Sequence, residues 1–125
     1  QELVVNGGFD TDSDWTKGVG CTIGGGVANF ATASDNALYQ SALGTMAIYE
    51  VSFDLISIVS GEVTAWSGGN QGRTSNPAFN TVGRHSIEVD ASGAGANGFI
   101  VFGSAAQFTG SIDNVSVKEI LKVAP

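Results

Sequence analysis

The chain has 125 residues, with twelve acidic against five basic side chains and a formal net charge of −7. That length suits one domain able to bury roughly two thirds of its unfolded surface. The negative balance repels phosphate backbones and anionic lipid heads, which excludes nucleic acid as an expected partner. Eighteen glycines, two prolines, seven phenylalanines and many Val, Ile, Thr and Ser residues favour short strands and tight turns over helices.

From the N-terminus, strands are predicted at 2–5, 27–31 and 37–40, with Gly24, Gly25 and Gly26 as a turn ahead of the second. Asp10, Asp12 and Asp14 read as turn and cap residues. Cys21 has no second cysteine to pair with, so it is expected as a small buried hydrophobe rather than a disulfide or thiolate ligand. Tyr49, Val51, Phe53 and Leu55 share one face of the next strand and Glu50, Ser52 and Asp54 the other, a period of two that marks a half-buried strand. After Leu55 the apolar positions move to Ile56 and Ile58, and that slip predicts a β-bulge or a change of sheet. Further strands are predicted at 62–66, 84–90, 98–102 and 111–120. The turn-forming stretches 67–77 and 92–97 lie between them, the first being the longest loop. The phase change from Ile112 to Val115 and Val117 predicts a bulge in the last strand. About eight strands at this spacing make an all-β antiparallel sandwich, a single domain over 1–120 followed by a short tail, 121–125.

No apolar run approaches the roughly twenty residues of a membrane-spanning helix, so no membrane insertion is expected. Nor does a basic start lead into an apolar stretch, so any signal peptide is expected to be absent from this sequence.

Catalytic signals are sparse. His85 is the single histidine and shares an apolar strand face with Ile87 and Val89, which reads as a packed, hydrogen-bonded residue rather than a triad member. No GxSxG elbow or phosphate-loop pattern occurs. Glu50, Asp54, Glu62, Glu88 and Asp90 fall on polar strand faces, where solvation explains them without glycoside hydrolysis. The expectation is a protein that binds rather than catalyses. By alternation with Val63 and Ala65, Trp66 falls on a polar face with Glu62 and Thr64, and it is the candidate platform for a sugar ring. Covering a bend in the sheet, or lying in a subunit interface, are the alternatives. Asn70, Gln71 and Arg73 of the long loop are candidate hydrogen-bond partners for the same ligand or for a neighbouring subunit. Asn114-Val115-Ser116 forms a glycosylation sequon inside a predicted strand and reads as fortuitous.

The opening segment Leu3-Val4-Val5-Asn6-Gly7-Gly8-Phe9-Asp10, Trp15 beyond it, and the closing Ile112-Asp113-Asn114-Val115-Ser116-Val117-Lys118-Glu119-Ile120 resemble the carbohydrate-binding-module family (CBM4/9-like, galactose-binding-like) of β-jelly-roll domains. The closing strand is also similar to those of many bacteriophage virion proteins. The resemblance implies a core position for Trp15 and a structural calcium bridging the opening loop and closing strand, the matching positions being Asn6, Asp10 and Asp113. Local turn chemistry is the alternative for those residues. It further implies a non-catalytic module on a phage virion surface, a capsid decoration or tail-associated protein attaching to other virion subunits or to itself as a homo-oligomer, with glycan contact as an added role. The rival expectation is a carbohydrate-binding module of a secreted glycoside hydrolase, with polysaccharide as partner.

Overall fold

The computed structural model describes residues 2–34, 37–43, 47–67, 77–91, 98–104 and 107–122. They form nine strands: β1 (Thr16–Lys17), β2 (Cys21–Gly24), β3 (Val27–Ala33), β4 (Leu38–Ser41), β5 (Ala47–Gly61), β6 (Thr64–Ser67), β7 (Gly83–Asp90), β8 (Phe99–Gly103) and β9 (Phe108–Lys122). No helix occurs among the described residues. All ladders are antiparallel, in a four-stranded sheet of order β1-β4-β8-β6 and a five-stranded sheet of order β2-β3-β9-β5-β7. From β3 onward each successive strand lies in the other sheet, the jelly-roll winding of a β-sandwich. Hydrophobic side chains of both inner faces merge into one core that includes Phe30, Leu38, Tyr49, Phe53, Phe102 and Ile112.

Alternation builds this core. In β5, Tyr49, Val51, Phe53 and Leu55 are buried while Glu50 is exposed and Ser52 and Asp54 are half-buried. The expected slip after Leu55 is a pair of bulges: Leu55 and Ser57 oppose Ile112 and Ser111, and Ile58 and Ser60 oppose Gly110 and Thr109. The extra residues, Ile56 and Val59, are turned outward and exposed, because a bulge reverses the face on which the following side chains fall. The bulge expected in the closing strand is also present. Ser52 and Asp54 oppose Ser116 and Asp113, so β9 carries one extra residue there, and Asn114 takes φ 51°. Gly25 and Gly26, at φ 66° and 80°, join β2 to β3 in the two-residue turn whose positive φ values match strand twist.

Two expectations need correction. The segment 2–5 does not enter a strand ladder, although it lies antiparallel to β9 where β3 has ended, with Leu3 N donating to Val117 O at 3.0 Å and Val115 N to Gly7 O at 2.9 Å. Side chains complete its fastening. Gln40 of β4 accepts from Val5 N and donates to Val5 O, at 2.8 and 2.9 Å, so both main-chain groups of Val5 are met by one amide instead of a neighbouring strand. Leu121 and Lys122, expected in the tail, belong to β9, with Ile48 opposite Leu121 and Ala47 opposite Lys122. Residues 123–125 lie outside the described residues.

Candidate functional site

Residues nominated from the sequence separate into three groups. Trp66 sits on the outward side of β6, as its alternation requires, since its neighbour Ala65 belongs to the core and Trp66 does not. It is nevertheless fully buried, which corrects its assignment as an exposed platform. On the same side, Thr64 Oγ1 donates to Pro77 O at 2.6 Å. Trp66 Nε1 and Ser67 Oγ are buried without a hydrogen-bond partner among the described residues. Glu62 is exposed at the junction of β5 and β6. Asn70, Gln71 and Arg73 lie outside the described residues.

The second group is the opening loop. Asn6, at φ 59°, accepts from Asp10 N through Oδ1 at 3.0 Å and donates from Nδ2 to Thr11 O and Ser13 O at 2.7 and 2.9 Å. Its main-chain carbonyl receives Trp15 Nε1 at 2.9 Å, and Trp15 packs on Phe9 and Phe102 at ring separations of 5.5 and 6.3 Å. Asp113 Oδ1 accepts from Asn114 N at 2.7 Å, and Asp10 is exposed. Among the described residues no group of three or more His, Cys, Asp or Glu is placed to hold a metal ion. Side-chain atoms of Asn6 and Asp113 nominated for calcium are thus used on the protein's own backbone.

The third group is packed into the fold. His85 Nε2 donates to Thr81 O at 2.7 Å, and its ring stacks on Phe79 at 4.4 Å beside Phe53. Cys21 is buried. Loss of solvent pushes its thiol up to about 12, against a small opposing pull from Lys17, so it stays a neutral apolar side chain at ordinary pH.

The two outer faces of the sandwich differ chemically. On the five-stranded sheet, Arg84 donates to Asn114 O at 2.6 Å, Ser52 Oγ at 3.0 Å and Asp54 Oδ1 at 3.3 Å, while Asn114 Nδ2 donates to Asp54 Oδ2 at 2.7 Å. That network pins the β9 bulge and gives the sequon asparagine a structural partner. Glu50 lies beside it, opposite Glu88 on one side and Lys118 on the other. This is the polar outside normal for an antiparallel sheet.

The four-stranded sheet has a different outside. Its inward residues are Leu38, Ile100, Phe102 and Ala65 in the core together with Gln40 and Ser67. Registered in the opposite phase are Thr16, Tyr39, Val101 and Trp66 in one row and Ser41 and Phe99 in the next. None of these carries a charge. Tyr39 and Phe99 are partly exposed and meet edge to face at 5.7 Å, bordered by the exposed Ser41 and Thr16. Two rings and flanking hydroxyls on a rigid sheet can stack on apolar surface and orient it with hydrogen bonds. Neither Tyr39 nor Phe99 stands out in the sequence, and Phe99 hides in an unbroken apolar run. The available signal was phase: Ile100 and Phe102 face one way, so Phe99 and Val101 must face the other.

Comparison with protein-family models, with curated proteins and with solved structures finds no match to this chain.

Proposed function

We propose that this chain is a non-catalytic attachment module of a bacteriophage virion surface, a capsid decoration or tail-associated protein that binds other virion subunits. The observation that supports the binding reading is the pair of partly exposed rings, Tyr39 and Phe99, standing together at 5.7 Å beside the exposed Thr16 and Ser41 on the outward side of the four-stranded sheet. The virion setting rests on the wording of the closing strand, Ser111 to Ile120. Attachment here needs no moving parts, because both rings are held by a sheet whose register is fixed from β1 to β6.

The same rings favour a second reading, a carbohydrate-binding module, since aromatic faces flanked by hydroxyls suit the C–H groups and hydroxyls of a sugar. One pair of variants tests both. Tyr39→Ala combined with Phe99→Ala should reduce co-sedimentation with particles of the phage that encodes the chain by tenfold or more, with the β-sheet circular dichroism retained. Undiminished co-sedimentation would overturn the face as the attachment site. Wild-type binding on a glycan array, lost in the double variant, would favour the second reading.

A further inference from the structure

The first residues of the chain are fastened by side chains as much as by main chain. Over residues 2–7, two main-chain bonds reach β9, and Val5 is held by Gln40. Asn6 is tied through its carbonyl to Trp15 Nε1 at the far end of the segment, and the tie at the near end is Glu2. Its Oε2 accepts the Val117 amide at 2.7 Å and the amides of Leu3 and Val4 at 3.2 and 3.3 Å, and its Oε1 accepts the Ser116 hydroxyl at 2.6 Å. In a continuous ladder the Val117 amide would meet a carbonyl of a neighbouring strand, and here a carboxylate takes that place. The three amides on Oε2 can only donate, so the site favours the anion: a proton on Oε2 would face N–H groups, and one on Oε1 could be accepted only by the Ser116 hydroxyl, which would then no longer donate to the carboxyl.

We propose that residues 2–7 form a strap latched onto β9 by the Glu2 carboxylate, and that protonating this one group opens the strap while the sandwich stays folded. The latch holds the near end of the strap, where apolar burial is slight compared with the strands. Of its side chains Val4 is buried and Leu3 packs on the core, while Val5 is exposed, whereas β5 sends an unbroken series from Tyr49 to Leu55 inward. Segments with few buried apolar contacts open locally before the rest. Partial burial pushes the Glu2 carboxyl up, but the Ser116 hydroxyl and the amides of Val117, Val4 and Leu3 outweigh it and hold it below its ordinary 4.5. The folded state therefore keeps the full benefit of the latch above that ordinary value and loses it as pH falls through the lowered one. The charged groups around Ser116 on the same outer face are Asp113 and Lys118 of β9 and Glu50 and Asp54 of β5. Asp54 is already engaged by Arg84 and Asn114. The loop after the strap adds Asp10, Asp12 and Asp14, with Lys17 bonded to Asp12, and Tyr39 is the titratable residue of β4.

Amide hydrogen exchange, corrected for the intrinsic pH dependence of exchange, tests the latch on the full chain. At pH 7, Glu2→Gln should accelerate exchange at Leu3, Val115 and Val117 on the order of tenfold to a hundredfold, the loss expected for hydrogen bonds to a charged acceptor, with Val51 and Phe53 of β5 unchanged. Wild type titrated downward from pH 7 should approach that pattern as Glu2 takes up its proton, and these amides in the variant should show no matching step. Acceleration of strap and β5 amides together, or a variant as well protected as wild type, would overturn the proposal. Ser116→Ala removes a single bond of the latch and should give a smaller increase confined to the same amides, so that an unstable Glu2 variant does not decide the matter.

Discussion

Asn6 organises the opening loop with one side chain: its amide spans Asp10 N, Thr11 O and Ser13 O, and asparagine tolerates the left-handed backbone found there. Asn6→Ala should therefore cost about 2–3 kcal/mol, and by the same amount in calcium and in chelator, because its bonds are made to protein. Urea denaturation in the two buffers checks this, and a cost that appears only with calcium would show that the bonds run through a metal. Trp66 supplies the opposite case. Its ring fills space but its N–H finds no acceptor among the described residues, so the apolar volume is useful and the polar atom is not. Trp66→Ala should lose roughly 3–5 kcal/mol. Trp66→Phe should lose much less, since part of the lost packing is offset by removing an unsatisfied buried donor. Equal losses in the two variants would mean that the indole nitrogen has a partner after all.

At the level of elements, the paired glycines of the opening segment are unequal. A Cβ on Gly7 would run into the carbonyl of Val115 on β9, whereas one on Gly8 would make only ordinary contacts with Asp10. Gly7→Ala should thus lower the melting temperature by several degrees, for a cost of about 2 kcal/mol or more, and Gly8→Ala should leave it nearly unchanged; equal shifts would refute this close approach of loop and strand. How much of the fold could be read beforehand follows from how local each cause is. The strand around Tyr49 to Leu55, the slip after Leu55 and the bulge near Asn114 are written in the alternation itself, so the sequence shows them directly. The two residues of β1 and the four of β2 are too short to display a period. Trp66 was legible in its phase but not in its burial, because alternation tells which side of a strand a residue takes and not whether that side is covered. The partly exposed pair Tyr39 and Phe99 leaves no mark in the sequence because their contact joins two strands sixty residues apart.

For the whole molecule, the winding leaves its long central strands, β5 and β9, paired along nearly their full length, so the last strand can be placed only after the earlier ones exist. Non-local pairing of this kind makes folding slow relative to helical proteins of the same size. The docking of the first segment against the last strand has another consequence. Leu3 lies beside Val117 and runs antiparallel to it, so the start of the described chain points along the final residues of β9. Glu2 and Lys122 are separated by about five residues of strand, roughly 17 Å, a gap that about six flexible residues can span. A circularly permuted chain, closed by such a linker and opened between Gly25 and Gly26, would keep every sheet neighbour while making β3 the first strand and β2 the last. It should fold to the same circular dichroism and melt within a few degrees of the original, which would make the order of the strands along the chain separable from their arrangement in space.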